Sequence, residues 1–285
     1  MMRSVLLLLA LVVAAAVSAL LIAATRWNAA SAALVRELQR RSVESATPPR
    51  LSEELATLPP PVRRYLSAAL GDEPPAIRFA RIEHAGEFLL KSPNGWRPFR
   101  ATEYFATQPP GFIWDARIRM APGLDVRARD ALVNGRGSML GRVAALITVV
   151  DVKNTRDMAS GTLYRFLAEA VWLPTALLPS AGVQWATIGD STARATLGTG
   201  ETTVSLDFHF GSDGLVERVY TPARRRDANG VAVPTPWEGR FARYETRHGF
   251  LIPIEGEVAW LLPSGRESYW RGRVTDIKYN TQPSK

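Results

Sequence analysis

Two carboxylates on one strand face are the first place to look for acid–base chemistry. Glu255 and Glu257 alternate in "IPIEGEVAW", which puts them on one side, about 7 Å apart along a strand. Glycoside hydrolysis uses two carboxyl groups about 5–10 Å apart that flank a cleft. The spacing fits but supplies no cleft, so a solvated strand face is the expectation. Arg165 and Glu169 form an i, i+4 pair, neighbours on successive turns of a helix. The three histidines, His84, His209 and His248, stand alone, without the i, i+4 partner or nearby carboxylate of a metal site. They are expected on strand surfaces. "GRGSMLG" (135–141) lacks the lysine and hydroxyl pair of a phosphate loop and is expected as a glycine-rich bend between strands. No G-x-S-x-G occurs, which removes the nucleophile elbow. With no cysteine, there is no thiol nucleophile, disulfide or cysteine–zinc site. No catalytic residue, metal ligand or cofactor motif is assigned.

Tryptophan is more informative. Six of the eight sit beside charge or proline: "GWRP" (95–98), "IWDAR" (113–117), "VWLP" (171–174), "PWEGR" (236–240), "AWLLP" (259–263) and "YWRGR" (269–273). An indole beside a charge suits a half-buried wall where the ring packs and its N–H finds a partner. Strand-end packing and ligand lining both answer that description. The ligand-binding candidates from these motifs are Trp114, Asp115, Arg117, Trp237, Glu238 and Trp270. A helix expected over 160–173 adds Arg165, Glu169 and Trp172, which fall together at 100° per residue. The opposite face carries Leu163, Phe166, Leu167, Ala170 and Val171 at i, i+3, i+4, i+7 and i+8, a full apolar stripe. Ser160 or Thr162 can cap this helix, and Pro174 stops it. It is too short to span a bilayer. The segment after it, "TALLPSAGVQW", must cover a sheet, plug an open barrel end or touch membrane.

Around that helix the period is two. Strands are expected from residue 77, over 96–107, 112–120, 124–140 and 145–153, then over 183–188, 192–197, 202–210, 215–221, 235–245, 250–262 and 267–279. They are bounded by Pro-Gly, Asn-Gly and Asp-Gly punctuation. About ten strands without βαβ alternation predict a mainly β (α+β) domain, a large antiparallel sheet that must curl or close, as a curved sheet or a half-open barrel with an inserted helix. Before it, "LSEELATLPPPVRRYLSAAL" (51–70) predicts two short helices, the second started by Pro59–Pro61. The basic run Arg224-Arg225-Arg226, followed by Asp-Ala-Asn-Gly, is expected as a surface loop.

Residues 4–25 carry no charge and suffice as a helix to cross a hydrocarbon core of about 30 Å; the run exceeds a cleaved signal's apolar stretch of about 7–15 residues. The chain divides into an anchor (1–26), a juxtamembrane helix and linker (27–50) and a single β-rich domain (51–285). Half of the net charge of +8 lies in the first 50 residues, where basic groups meet anionic headgroups; the rest is interspersed with acids. No nucleic-acid partner is expected. The arginines after the span argue for a cytoplasmic domain, whereas short anchors with a basic start often export theirs. The expectation is a single-pass protein of the bacterial inner membrane with its domain on the extracytoplasmic side.

"PPPVRRYL" (59–66), "WRPFRATEYF" (96–105), "PPGFIWDARIRMAPGL" (109–124), "LAEAVWLPTALLPS" (167–180), "TPWEGRFARY" (235–244) and "EGEVAWLLPSG…YWRGRVTDIKY" (255–279) resemble an uncharacterised family of bacterial membrane-anchored proteins. The resemblance implies no activity and no catalytic residue. In outline the layout is similar to the half-open barrels of lipoprotein carriers. Three roles follow: a non-enzymatic domain holding a lipid or other apolar ligand on its concave face; a hydrolase-like enzyme using Glu169 or Asp115 with Arg117 and Arg165 in one concavity; or an envelope scaffold gripping a protein partner through Trp237 or Trp270.

Overall fold

Period-two alternation converts directly into strands. In β9 (Thr202–Phe210) Val204, Leu206, Phe208 and Phe210 are buried, while Thr203, Ser205, Asp207 and His209 turn outward. In the computed structural model, which describes residues 2–42, 51–71, 74–90, 94–228 and 230–280, thirteen strands form one antiparallel sheet. They are β1 (Phe79–Leu89), β2 (Trp96–Ala106), β3 (Gly111–Ala121), β4 (Leu124–Val133), β5 (Arg136–Val143), β6 (Ile147–Lys153), β7 (Gln184–Gly189), β8 (Thr192–Thr199), β9, β10 (Val216–Ala228), β11 (Val231–Arg247), β12 (Phe250–Leu262) and β13 (Gly265–Tyr279). β1 to β6 and β7 to β13 are two meanders joined where β1 pairs with β13, and β6 and β7 are the edges of an open sheet.

The count exceeds ten partly because the expected strand 124–140 is two strands. Asn134 (φ 56°) and Gly135 (φ 70°) turn the chain between them, the positive pair that a tight hairpin needs. "GRGSMLG" is therefore mostly strand β5, not a bend. Gly137 within it permits contact with a helix, since a Cβ there would collide with the Met158 carbonyl oxygen. The arginines 224–226 also lie within a strand, β10, rather than in a loop.

That helix, α4 (Arg156–Glu169), crosses the concave face. It begins four residues before the expected start, because Thr155 caps it by accepting from the Met158 N–H at 3.1 Å. After Glu169 the chain tightens into 3-10 turns at Ala170–Trp172, Pro174–Leu177 and Pro179–Ala181. Residues 171–178 are all buried, so the apolar segment covers the sheet. With α3 (Pro60–Leu70) it plugs one end of the concavity, around Tyr65, Leu66, Phe105, Phe208 and Phe250. The other, more open end, beyond α4, leaves Phe88, Val258, Trp260 and Tyr269 only partly buried. The short α2 (Leu51–Thr57) precedes α3.

Helix α1 (Met2–Ser42) is one uninterrupted rod. Its first half is long and apolar enough to cross a membrane, and its second half lies across the outer, convex face. Val35 and Leu38 pack on Phe79, Ala106, Ile113 and Ala131, while Ala23 and Trp27 pack on Ala145. The rod thus runs from the β2–β3 turn at the plugged end to the β5–β6 turn at the open end, where its exposed apolar part begins. Residues 43–50 of the expected juxtamembrane helix and linker lie outside the described residues.

Candidate functional site

Strand alternation sorts the nine candidate residues onto two faces. Trp114, Arg165, Glu169, Trp172, Trp237 and Trp270 share the concave side. Asp115, Arg117 and Glu238 are on the outer face: Asp115 accepts from Trp27 Nε1 at 3.0 Å and from Ser31 Oγ, and Glu238 pairs with Arg266 at 2.6 Å and Arg240 at 2.8 Å. Burial would raise the Glu238 carboxyl, but those arginines hold it below its usual range. The sheet therefore separates Asp115 and Arg117 from Glu169 and Arg165, and no single concavity holds the four. Glu255 and Glu257 behave as expected of an outer strand face, paired with Arg243 at 2.9 Å and Arg266 at 3.2 Å.

The polar face of α4 is buried rather than solvated. Arg165 donates to Glu103 at 2.8 Å, to Asp130 at 2.9 Å and to Glu169 at 2.9 Å, and its guanidinium lies 4.8 Å over Phe112 and 5.0 Å over Trp114. Burial alone would lower Arg165, but the three carboxylates more than reverse it and hold it above its usual value. One cation cannot balance three buried anions. Burial first, and then Glu169 and Asp130 as neighbours, push Glu103 well above the carboxylate range against the pull of Arg165; Glu169 is raised by burial too. His84 Nδ1 lies 3.4 Å from the other oxygen of Glu103, and a proton kept on Glu103 lessens the excess negative charge of the cluster. Among the described residues no cluster of His, Asp and Glu is arranged to hold a metal, and here the guanidinium already fills the place of a cation.

His84, expected on a strand surface, points into this interior at 2% exposure. Its ring lies 4.8 Å from Trp172 and 5.9 Å from Trp270. Burial, then the Arg165 charge, push its imidazole down to about 3, so it is neutral. Beside it three glycines stand in register across three strands, Gly86 opposite Gly272 and Gly272 opposite Gly256. They leave a trough in the sheet floor that Trp270 occupies.

Towards the open end the floor becomes aromatic and only half buried. Phe88, Val258, Trp260 and Tyr269 flank the buried Phe99, Trp114 and Trp270. Trp260 stacks on Tyr269 at 5.9 Å, and Tyr269 accepts from Trp237 Nε1 at 2.8 Å and from Arg224 at 3.0 Å. Arg224 lies over Trp237 at 4.6 Å. Around this trough Trp114 Nε1, Trp270 Nε1, Arg224 Nε and both His84 ring nitrogens are buried without a hydrogen-bond partner, and nearer α4 so are Glu103 Oε2, Asp130 Oδ1 and Glu169 Oε2. The indoles and Arg224 lack acceptors; the carboxylate oxygens lack donors.

Glu103, Asp130, His84, Phe88 and Arg224 were not among the sequence candidates. The signal for the two acids was phase: Glu103 alternates in step with Phe99, Ala101 and Phe105, and Asp130 with Ala128 and Leu132, so both had to point inward with apolar neighbours. A second concavity, a groove of about 1330 Å³, lies on the outer face beside α1; Arg81, Arg100, Arg117, Arg127 and Lys278 are among its lining residues.

Comparison with known proteins bears on the fold. A family model described as a family of unknown function (DUF6920) matches residues 56–279. No curated protein sequence matches the chain. The crystal structure of a LolA superfamily protein from Nitrosomonas europaea is similar with a TM-score of 0.43 and 9% identity, over 78% of this chain and 93% of that one.

Proposed function

The chain belongs to that family of unknown function, and for it we propose a non-enzymatic role: a membrane-anchored module that holds an amphiphile in the concave trough below α4. The observation that carries the reading is the change in the floor along the sheet. At the plugged end it is packed solid; at the open end Phe88, Trp260 and Tyr269 stay partly exposed beside the buried, acceptor-less indole N–H groups of Trp114 and Trp270 and Nε of Arg224. An apolar wall with a few convergent polar groups is the common make-up of a small-molecule site. Unsatisfied buried donors each carry a penalty of about 1–3 kcal/mol, which a ligand bearing acceptors would relieve. The ligand class is therefore hydrocarbon with an ester, carboxylate or phosphate head. The anchor is α1, whose sheet-packed half continues without a break into the apolar half.

The test is quenching of tryptophan emission by a bromine-labelled fatty acid, using the full chain in detergent, with native mass spectrometry for co-purified lipid. Saturable quenching that Phe88→Asp abolishes, while the unfolding midpoint stays put, supports the role. Quenching no stronger than that of a soluble tryptophan analogue, with no co-purified amphiphile, overturns it.

A further inference from the structure

Turns at the two ends of the sheet differ in character. At the plugged end they read Gln108-Pro109-Pro110, Ser212-Asp213-Gly214 and His248-Gly249. At the open end, turns and adjoining residues expose Leu90, Met120, Leu124, Leu146, Ile147 and Val231, with Ile147 66% and Val231 62% exposed. Outside α1, the large apolar side chains that the described residues expose towards the plugged end are Ile188 and, at the β5–β6 edge, Met139 and Val152, with β6 exposed along its whole length. The open end is also where α1 leaves the sheet, at Ala23 against Ala145, and from Ile22 back to Met2 every residue is exposed.

A second observation lies two to five residues up the same strands. Arg100 is opposite Arg117, Arg117 opposite Arg127, and Arg127 opposite Arg142, a ladder of four arginines across β2 to β5 on the outer face. Like charges directly opposite one another destabilise a sheet. Among the described residues none of the four has a salt-bridge partner; Asp115 is taken by Trp27 and Ser31, and Arg142 Nε is buried without an acceptor. Burial, then the Arg117 charge, lower Arg127. At about 3.3 Å per residue the ladder stands about 7–17 Å above the apolar turns, the range over which an anionic surface acts on basic groups.

The geometry points to a bilayer as the occupant of this end: the apolar turns dip into the leaflet that α1 enters, the arginine ladder meets anionic headgroups, and the trough opens onto the membrane. This rests on the reading of α1 as an anchor, and it adds the source of the amphiphile, which enters from the leaflet without crossing water. The exposed turns and ladder explain each other: one sets depth, the other sets lipid charge.

The absence of cysteine permits single-site labelling. Val13→Cys in α1, Ile147→Cys at the open end and Ser212→Cys at the plugged end would each carry an environment-sensitive fluorophore, with the full chain in nanodiscs containing phosphatidylglycerol and a shallow nitroxide lipid. The expected result is strong quenching at 13 and 147 and none at 212. Replacing Arg100, Arg117 and Arg127 together by glutamine should weaken quenching at 147 in phosphatidylglycerol discs and leave it unchanged in phosphatidylcholine discs. Quenching at 13 but not 147, or equal quenching at 147 and 212, overturns the docking while sparing the anchor. No quenching at 13 overturns the anchor itself. A glutamine variant indistinguishable from the parent in phosphatidylglycerol overturns the part assigned to the ladder.

Discussion

The indole of Trp270 lies over Gly272 so closely that a Cβ on that glycine would sit 2.7 Å from the ring. Gly272→Val should therefore destabilise the protein by about 1–3 kcal/mol, the usual range for overpacking. Gly189→Ala, where nothing lies within 4 Å, should shift stability by no more than about 0.5 kcal/mol. Urea unfolding of the full chain in detergent checks both, and equal midpoints for the two variants would contradict the packing described.

Removing the cation from the α4 cluster should be far worse than removing a proton-bearing acid. Arg165→Met leaves Glu103, Asp130 and Glu169 facing one another and should destabilise by about 3–5 kcal/mol. Glu103→Gln keeps a neutral group that still donates, and should lose at most about 1 kcal/mol. The reverse ranking in thermal unfolding would mean that Glu103 is ionised.

Stability should respond to pH through two opposed slopes. His84 is held near 3 against a usual 6.5, so below 6.5 the unfolded chain takes a proton that the folded one refuses, and stability falls as pH drops. Glu103 is held well above its usual 4.5, so above 4.5 the unfolded chain releases a proton that the folded one keeps, and stability falls as pH rises. Between 4.5 and 6.5 the two oppose. His84→Leu should uncover the carboxyl slope, up to about 1.4 kcal/mol per pH unit, with stability declining as pH rises; Glu103→Gln should tilt the other way. Urea midpoints across pH 4.5–6.5 decide it, and unchanged profiles in both variants would refute the assignments.

Trp27 joins α1 to the sheet through its N–H to Asp115 and the Arg129 guanidinium 4.7 Å over its ring. Trp27→Ala should loosen residues 23–38 without unfolding the sheet. Hydrogen exchange by mass spectrometry should show faster exchange in that part of α1 and little change in β9 to β12; uniform acceleration would mean that the helix is integral to global stability.

Much of the architecture was legible because burial on one face forces period two, and the turns between strands carry Asn-Gly, Pro-Gly and Asp-Gly. The number of strands was less so: 124–140 reads as one run until Asn134 is allowed its left-handed conformation. The site was legible only by halves. Arg165, Glu169 and Trp172 do share a helix face, but their surroundings come from β2 and β4, more than 30 residues away along the chain. Asp115 and Trp114 are adjacent in sequence and so on opposite faces, which composition-based motifs such as "IWDAR" hide. What α1 does past residue 26 was hidden as well, since a juxtamembrane helix over that stretch does not name the Ile113 and Ala131 surface that receives Val35 and Leu38.

A stem that is also a structural member has a mechanical consequence. A folded head on a flexible tether samples a volume that grows with linker length, about 5–6 Å times the square root of the residue number. Here the apolar half of α1 and the half clamped to Phe79, Asp115 and Ala145 are one helix, so no swivel separates them. With α1 as the proposed anchor, the head turns only as the whole rod turns, its pitch set by the tilt of a single helix, and its working radius is that of its own body.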